Sequence, residues 1–282
     1  MRLTSYLKPV FRIIMNTYVN DHDLESYIKL TCDVSLKNFR YFRDDEPEVL
    51  VEISKLDDID RPPITKDCNS LFWHMLYNLV KPLAYSVPYI ALGCMPLHLL
   101  YMTRLIIESL MAGLCEDFLN GGLNIDEKLK DTTNFRMPCG PRAQKNIKYK
   151  QLRQEINRKL NWLGNELGMD PMDFICDVYY DLSKAIHPIT KRSDANTICG
   201  ALVIALTAFT SGTPTMRAWL QPAECEGDVE AVRYIYTSLI HMRLSINMLI
   251  YAWGSLTGRL SSEELEDVRR RIGDALKSVK AI

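Results

Sequence analysis

The sequence predicts an all-α protein: one bundle of about eight to ten helices around a buried central helix, entered through an N-terminal helical arm. Three observations carry this. Apolar residues recur at steps of three and four along most of the chain, and no stretch alternates with period two beyond a few residues. Proline and glycine stand where helices would start and stop. The stretch Leu97 to Leu119, between Pro96 and Asn120-Gly121-Gly122, is apolar all round a 3.6-residue period, and a helix of that kind is a buried one.

In chain order, a first helix is expected from about Thr4 to Tyr18 and a second from about Leu24 to Tyr41, with Asp21 and Asp23 as cap candidates. Val49 to Ile53 suits one short helix or strand, and Arg61-Pro62-Pro63 ends it. The boundary falls there: residues 1–61 form the arm and 62–282 the main bundle. Leu71 to Leu83 is a helix capped by Asp67, Asn69 or Ser70, and Pro82 and Pro88 make the next segment kinked or looped. A polar loop from Gly121 to Gly140, with a short helix to Lys130, follows the central helix.

Lys145 to Leu167 is a basic helix with Ile147, Leu152, Ile156, Leu160 and Leu163 inward and Gly168 as its stop. Asp170-Pro171 opens the next helix, which ends at His187-Pro188 because the residue before proline disfavours helical geometry. Thr197 to Thr210 reads as an apolar helix and Asp228 to Gly254 as a long amphipathic one. The last helix has a capping box, Ser261 with Glu264, and a staple, Leu260 with Leu265.

A chain of 282 residues has core enough to fold without metal or cross-links. The 8 cysteines sit singly, with no CxxC pair and no histidine at ligand spacing, so neither zinc nor a compact disulfide framework is expected. A reduced cytoplasmic protein without metal or cofactor is the expectation. The N-terminus has Arg2 and Lys8 among its apolar residues and no small-residue cleavage site, and the apolar runs are broken or short, so no membrane is expected either. Charge is near balance overall but uneven along the chain: Asp44 to Asp60 is acidic, and Arg142 to Lys159 is basic.

Two constellations carry possible chemistry. Arg104 and Glu108 stand one turn apart on the central helix. On the later helix Cys176, Tyr180, Ser183 and His187, spaced by four, three and four, make a polar stripe. Packed together, these helices would assemble a cation, a carboxylate, hydroxyls and an imidazole suited to acid–base work, with Arg104 able to hold a phosphate. The plainer alternative is a buried Arg104–Glu108 ion pair completed by Tyr180, with His187 capping its own helix end. Under that alternative Glu108→Gln is expected to destabilise by roughly 3 to 5 kcal/mol.

Those residues resemble a group of all-helical prokaryotic proteins, some associated with phage defence, that carry an Arg-Leu-Leu-Glu type helix and a Tyr-x-x-Leu-Ser-x-x-x-His helix end. The likeness spans roughly Leu97 to Pro188. More distantly the chain is similar to HEPN-type helical ribonucleases, whose cleavage depends on Arg-x(4 to 6)-His within one helix. It departs from that motif: no arginine stands at that distance before His187, and Arg233 to His241 is too widely spaced. What the resemblance implies is metal-independent RNA cleavage by Arg104, Glu108, Tyr180, Ser183 and His187.

The second constellation is the basic block Arg142, Lys145, Lys148, Tyr149, Lys150, Arg153, Arg158 and Lys159. Its cations could contact phosphates and Tyr149 could stack a base, so RNA or DNA is the expected partner. An acidic partner protein or a second copy of the chain would satisfy the same face, and a non-enzymatic interaction module that forms a homo-oligomer is the alternative function. Asp57-Asp58-Ile59-Asp60, His22, His74 and the Lys191 to Asp194 turn add nothing firm.

Overall fold

The computed structural model describes residues 21–56, 67–132, 135, 137–139, 146–186 and 222–279, with the side chains of 21–28, 97 and 181–186 excepted. The expected helices at Thr4 to Tyr18 and Thr197 to Thr210 lie outside these residues. Among the described residues there is no strand. The all-α multi-helix fold is therefore the observed one.

Helix α1 (Asp21–Asp44) turns Val34, Asn38 and Phe42 inward at steps of four. Helix α2 (Pro47–Lys55) begins with proline at its first turn and buries Val49 and Glu52. Phe42, Val49 and Leu56 belong to the same apolar core as the rest of the bundle.

Ser70 caps α3 (Leu71–Met75), its hydroxyl accepting from the Trp73 amide at 3.0 Å. The chain then widens into one π turn, Leu76–Val80, and runs on as α4 (Lys81–Leu92). A kink or a loop is expected from Pro82 and Pro88; the chain stays helical rather than looped, with the π turn before Pro82 and with Pro88 inside α4. Pro82 sits in the first turn of α4, where a missing N–H costs nothing, and the Lys81 amide reaches back five residues to Leu76. Cys94, just after α4, holds φ at 51°, a left-handed conformation that costs a non-glycine residue about 1–2 kcal/mol.

The central helix is α5 (Pro96–Leu119), with Leu99, Ile106, Ile107, Leu110, Met111 and Leu114 sealed from solvent. It is long and apolar enough to cross a bilayer, but most of its surface is already covered by the bundle. Gly113 lets α3 rest directly on it: a Cβ at that position would stand 2.6 Å from the Phe72 Cα. Helix α6 (Ile125–Asp131) opens with a full capping box of Asn124 and Glu127.

The expected single basic helix is two: α7 (Ile147–Lys159) and α8 (Asn161–Leu167), separated at Leu160 and stopped by Gly168 at φ 69°. Helix α9 (Pro171–Ile186) starts at its proline, and its Met172 amide donates to the Asn157 side chain at 2.9 Å. Helix α10 (Val229–Thr257), expected to be amphipathic, is buried nearly all round from Ser238 to Gly254. It lies along α5 as a second axis of the bundle. Helix α11 (Ser262–Val279) keeps the expected capping box, with Ser261 N–H to Glu264 at 2.6 Å and the Glu264 amide to Ser261 at 3.2 Å.

One expectation is overturned. Cys94 is bonded to Cys225 and Cys139 to Cys176, across 131 and 37 residues, with Cα atoms 5.5 and 5.2 Å apart. Pairing needs Cα atoms within about 7 Å, a condition set by the folded chain and not by sequence spacing, so single cysteines gave no sign of it. Asn38 locks the first junction: its amide donates to the carbonyls of Leu92 and Ala223, and its oxygen accepts from the Cys225 N–H at 2.7 Å.

Candidate functional site

The packing of α9 on α5 decides the first constellation. Met172, Ile175, Cys176 and Tyr179, at steps of three, one and three, form the face that α9 turns inward. Tyr179 therefore meets Arg104, accepting from its guanidinium at 3.2 Å, and the guanidinium carbon lies 5.1 Å from the ring centroid. Tyr180, expected in that role, points a third of a turn away and is 38% exposed. Burial raises its pKa above the usual phenol value, with Tyr179 adding to the rise and Arg153 opposing it.

Arg104 and Glu108 are 3.8 Å apart, and the carboxylate side chain is 41% exposed. That is a half-exposed pair, not the expected buried one, because Glu108 lies toward solvent on α5 while Arg104 lies under Tyr179. The Ser183 side chain and all of His187 lie outside the described residues. So does any meeting of Arg104 with the imidazole.

The charges that are truly buried lie elsewhere. Asp117, one turn beyond Gly113, is wholly enclosed and accepts from the Leu71 amide at 2.9 Å, the Phe72 amide at 3.2 Å, the Ser70 hydroxyl, Trp253 Nε1 at 2.9 Å and Lys128 Nζ at 2.9 Å. Arg259 adds a cation at 3.3 Å. Burial pushes the carboxyl pKa up, but the bonds from Ser70, Lys128, Trp253 and Leu71 outweigh it and hold the group below its usual range. A second buried pair joins Glu52 of α2 to Arg243 of α10 at 3.0 Å, with Ser278 and Lys55 donating to the same carboxylate. Its cleft of about 340 Å³ is lined by both signs, Glu48 with Lys55 and Lys277.

Both networks escaped the sequence reading. The usable signal was a charge set inside an apolar run: Asp117 at the end of the central helix, Arg243 between Leu239 and Leu249. They join α3, α5, α6 and α10 in one case and α2, α10 and α11 in the other, so their work is to hold the bundle.

The basic constellation is partly used by the fold. Arg153 pairs with Asp173 and its other nitrogen donates to the Cys176 sulfur at 3.8 Å. Tyr149 is half-buried, and its ring and that of Phe135 stand nearly perpendicular with centroids 6.3 Å apart, so part of it is taken up by the fold. Arg158 takes Glu155, the one carboxylate of α7, at 2.6 Å. Arg142 and Lys145 lie outside the described residues. What remains toward solvent on α7 is Ile147, Lys148, Lys150, Gln151, Gln154 and Arg158, with Lys159 half-buried. Ile147, expected inward, is 83% exposed, because standing five residues before Leu152 puts it about 140° out of phase with the buried stripe.

No protein-family model, curated protein or solved structure matches the chain. A functional reading therefore rests on the site itself. Among the described residues no group of three or more His, Cys, Asp or Glu stands close enough to hold a metal ion. On α7 the exposed polar side chains are ammonium, guanidinium and amide groups.

Proposed function

We propose that the protein binds nucleic acid through the outer face of α7, contacting backbone phosphates without reading sequence. The observation that carries this is the single sign of that face: Lys148, Lys150 and Arg158 flank Gln151 and Gln154, and the one carboxylate on the helix is tied to Arg158. From Lys148 to Arg158 the helix rises about 15 Å, about four phosphate spacings along one strand of a duplex. Ammonium and guanidinium groups neutralise phosphates there, while side-chain amides bond sugar and phosphate oxygens.

The reading is of binding alone: the described neighbours of Arg104 are the Tyr179 phenol and the half-exposed Glu108 carboxylate, while the imidazole of the sequence-predicted site, His187, lies outside the described residues. The test is fluorescence anisotropy of labelled RNA and DNA with the protein and with its K148Q/K150Q/R158Q variant. The variant is expected to bind at least about tenfold more weakly at low salt, each lost contact removing part of the counterion release. Equal affinity would overturn the reading.

A second reading, self-association or a protein partner, is favoured by α1, where Leu36 and Phe39 are exposed on its outward side. Light scattering after size exclusion, with L36E/F39E as the comparison, decides it: a dimer abolished by the change supports this reading and a monomeric wild type removes self-association.

A further inference from the structure

Of the two disulfides, one is in contact with the helix that carries the proposed binding face. Cys176, in α9, lies under α7, where Arg153 directs a guanidinium nitrogen at its sulfur from 3.8 Å. Its partner Cys139 stands seven residues before Asn146, the residue that caps α7. The Cys94–Cys225 bond has a different setting: the Cys225 amide donates to Asn38 and the Cys94 amide to the Ala91 carbonyl, both neutral acceptors. Cys115 differs again, enclosed and with its thiol pKa pushed up to about 12, first by burial and then by Glu116.

We infer that the Cys139–Cys176 bond is a reducible switch that sets the nucleic-acid affinity of α7, and that Cys94–Cys225 is a permanent staple. The inference rests on the binding reading above. In the reaction a glutathione thiolate attacks the Cys139 sulfur. A new sulfur–sulfur bond forms as the Cys139–Cys176 bond breaks, and the electron pair leaves on Cys176 as a thiolate facing Arg153. A second glutathione thiolate attacks the mixed disulfide, releasing Cys139, which takes a proton from water, and oxidised glutathione. Two glutathiones lose two electrons in all, and the protein disulfide gains them.

A cation beside the leaving sulfur stabilises the reduced form, and a pair whose reduced form is stabilised is the easier one to reduce. Asp173, bound to the same guanidinium, cancels part of that effect, and Cys94–Cys225 has no such cation among its described contacts. Reduction has two consequences for α7. It cuts the covalent tie between Cys139 and α9, the helix packed on α7, and it places a negative charge against Arg153 on a helix whose other free charges are positive. Both weaken the hold on a polyanion.

The experiment equilibrates the full chain in glutathione buffers of graded poise. Differential alkylation with mass spectrometry reads each cysteine, and anisotropy of a short labelled RNA reads binding in the same samples. Cys139–Cys176 should be half reduced at a GSH²/GSSG ratio about tenfold lower than Cys94–Cys225. RNA affinity should fall about twofold across that first transition, the factor one unit charge is worth in water across the roughly 10 Å thickness of a helix. Arg153→Met should move the first midpoint toward the second, and Cys139→Ser should bind as weakly as the reduced protein in every buffer. Two pairs that reduce together, a midpoint indifferent to Arg153→Met, or affinity unchanged through the transition would each overturn the switch. RNA bound in neither state would overturn the binding reading and the coupling with it, and the order of alkylation would show separately whether the redox difference exists.

Discussion

Asp117→Asn keeps the shape of the side chain and removes its charge, which isolates what the buried carboxylate does. In the wild type Lys128 is fully enclosed, with Nζ at 2.9 Å from Asp117 and 2.7 Å from the Asn69 carbonyl. Without the carboxylate that ammonium stays buried and uncompensated, a change that costs about 3 to 5 kcal/mol. The asparagine oxygen can accept one or two of the five hydrogen bonds, and its own amide would face donors, so the α3 cap adds about 1 kcal/mol. A loss of about 4 to 6 kcal/mol is a quarter or more of the stability of an ordinary domain. Urea denaturation should show this as a lower midpoint at unchanged slope, and melting should fall by about 8 to 24 °C.

Two further readouts tie the loss to the charge. Lys128→Met added to Asp117→Asn should restore part of the stability, since it removes the orphaned ammonium. The Asp117 pKa is depressed in the folded state, so the stability it brings is full above the unfolded value of about 3.9 and is lost as pH falls through the folded one. The difference between wild type and variant should therefore shrink below about pH 4. An Asp117→Asn protein within about 1 kcal/mol of wild type at neutral pH would refute the network's structural role.

Other outcomes follow from the same geometry. Glu108→Gln should cost under about 1 kcal/mol by urea denaturation, because the pair it breaks is 3.8 Å long and half-exposed, and a loss above 3 kcal/mol would mean a truly buried pair. Gly113→Ala should destabilise by about 1 to 3 kcal/mol, since its methyl group meets the Phe72 backbone and not a side chain that could turn aside; a neutral result would show that α3 can lift. Cys115 should resist alkylation in the native protein while exposed Cys32 and Cys68 react, and rapid labelling at Cys115 would contradict its burial.

Local signals read well from the sequence. Pro96, Ser70, Asn124 and the Ser261–Glu264 box each satisfy orphan backbone groups within a few residues, so their chemistry is written next to the helix that it ends. What depended on distant partners did not read. Pro82 and Pro88 leave kink and loop both open from sequence; in the fold the chain passes through a π turn, Pro82 falls in the first turn of α4, and the helix runs on. Tyr179 rather than Tyr180 faces Arg104, because one residue of helical phase is 100°, and that phase is set by which α9 residues α5 accepts. Asp117 and its donors come from segments up to 136 residues apart, and the two disulfides join residues 131 and 37 apart. Of the basic block, the composition was legible, but not that Arg153 and Tyr149 are held by the fold, since Asp173 and Phe135 lie on other segments.

The measurement closest to the central claim is the salt dependence of RNA and DNA binding by the wild-type protein. Lys148, Lys150 and Arg158, the last shared with Glu155, predict a slope of log K against log salt of at most about −2 to −3, equivalent to at most about a twenty- to fortyfold loss between 50 and 200 mM. In K148Q/K150Q/R158Q that slope should flatten toward zero. No binding at 50 mM salt, or a wild-type slope kept intact by the variant, would contradict the assignment of α7 as the nucleic-acid face.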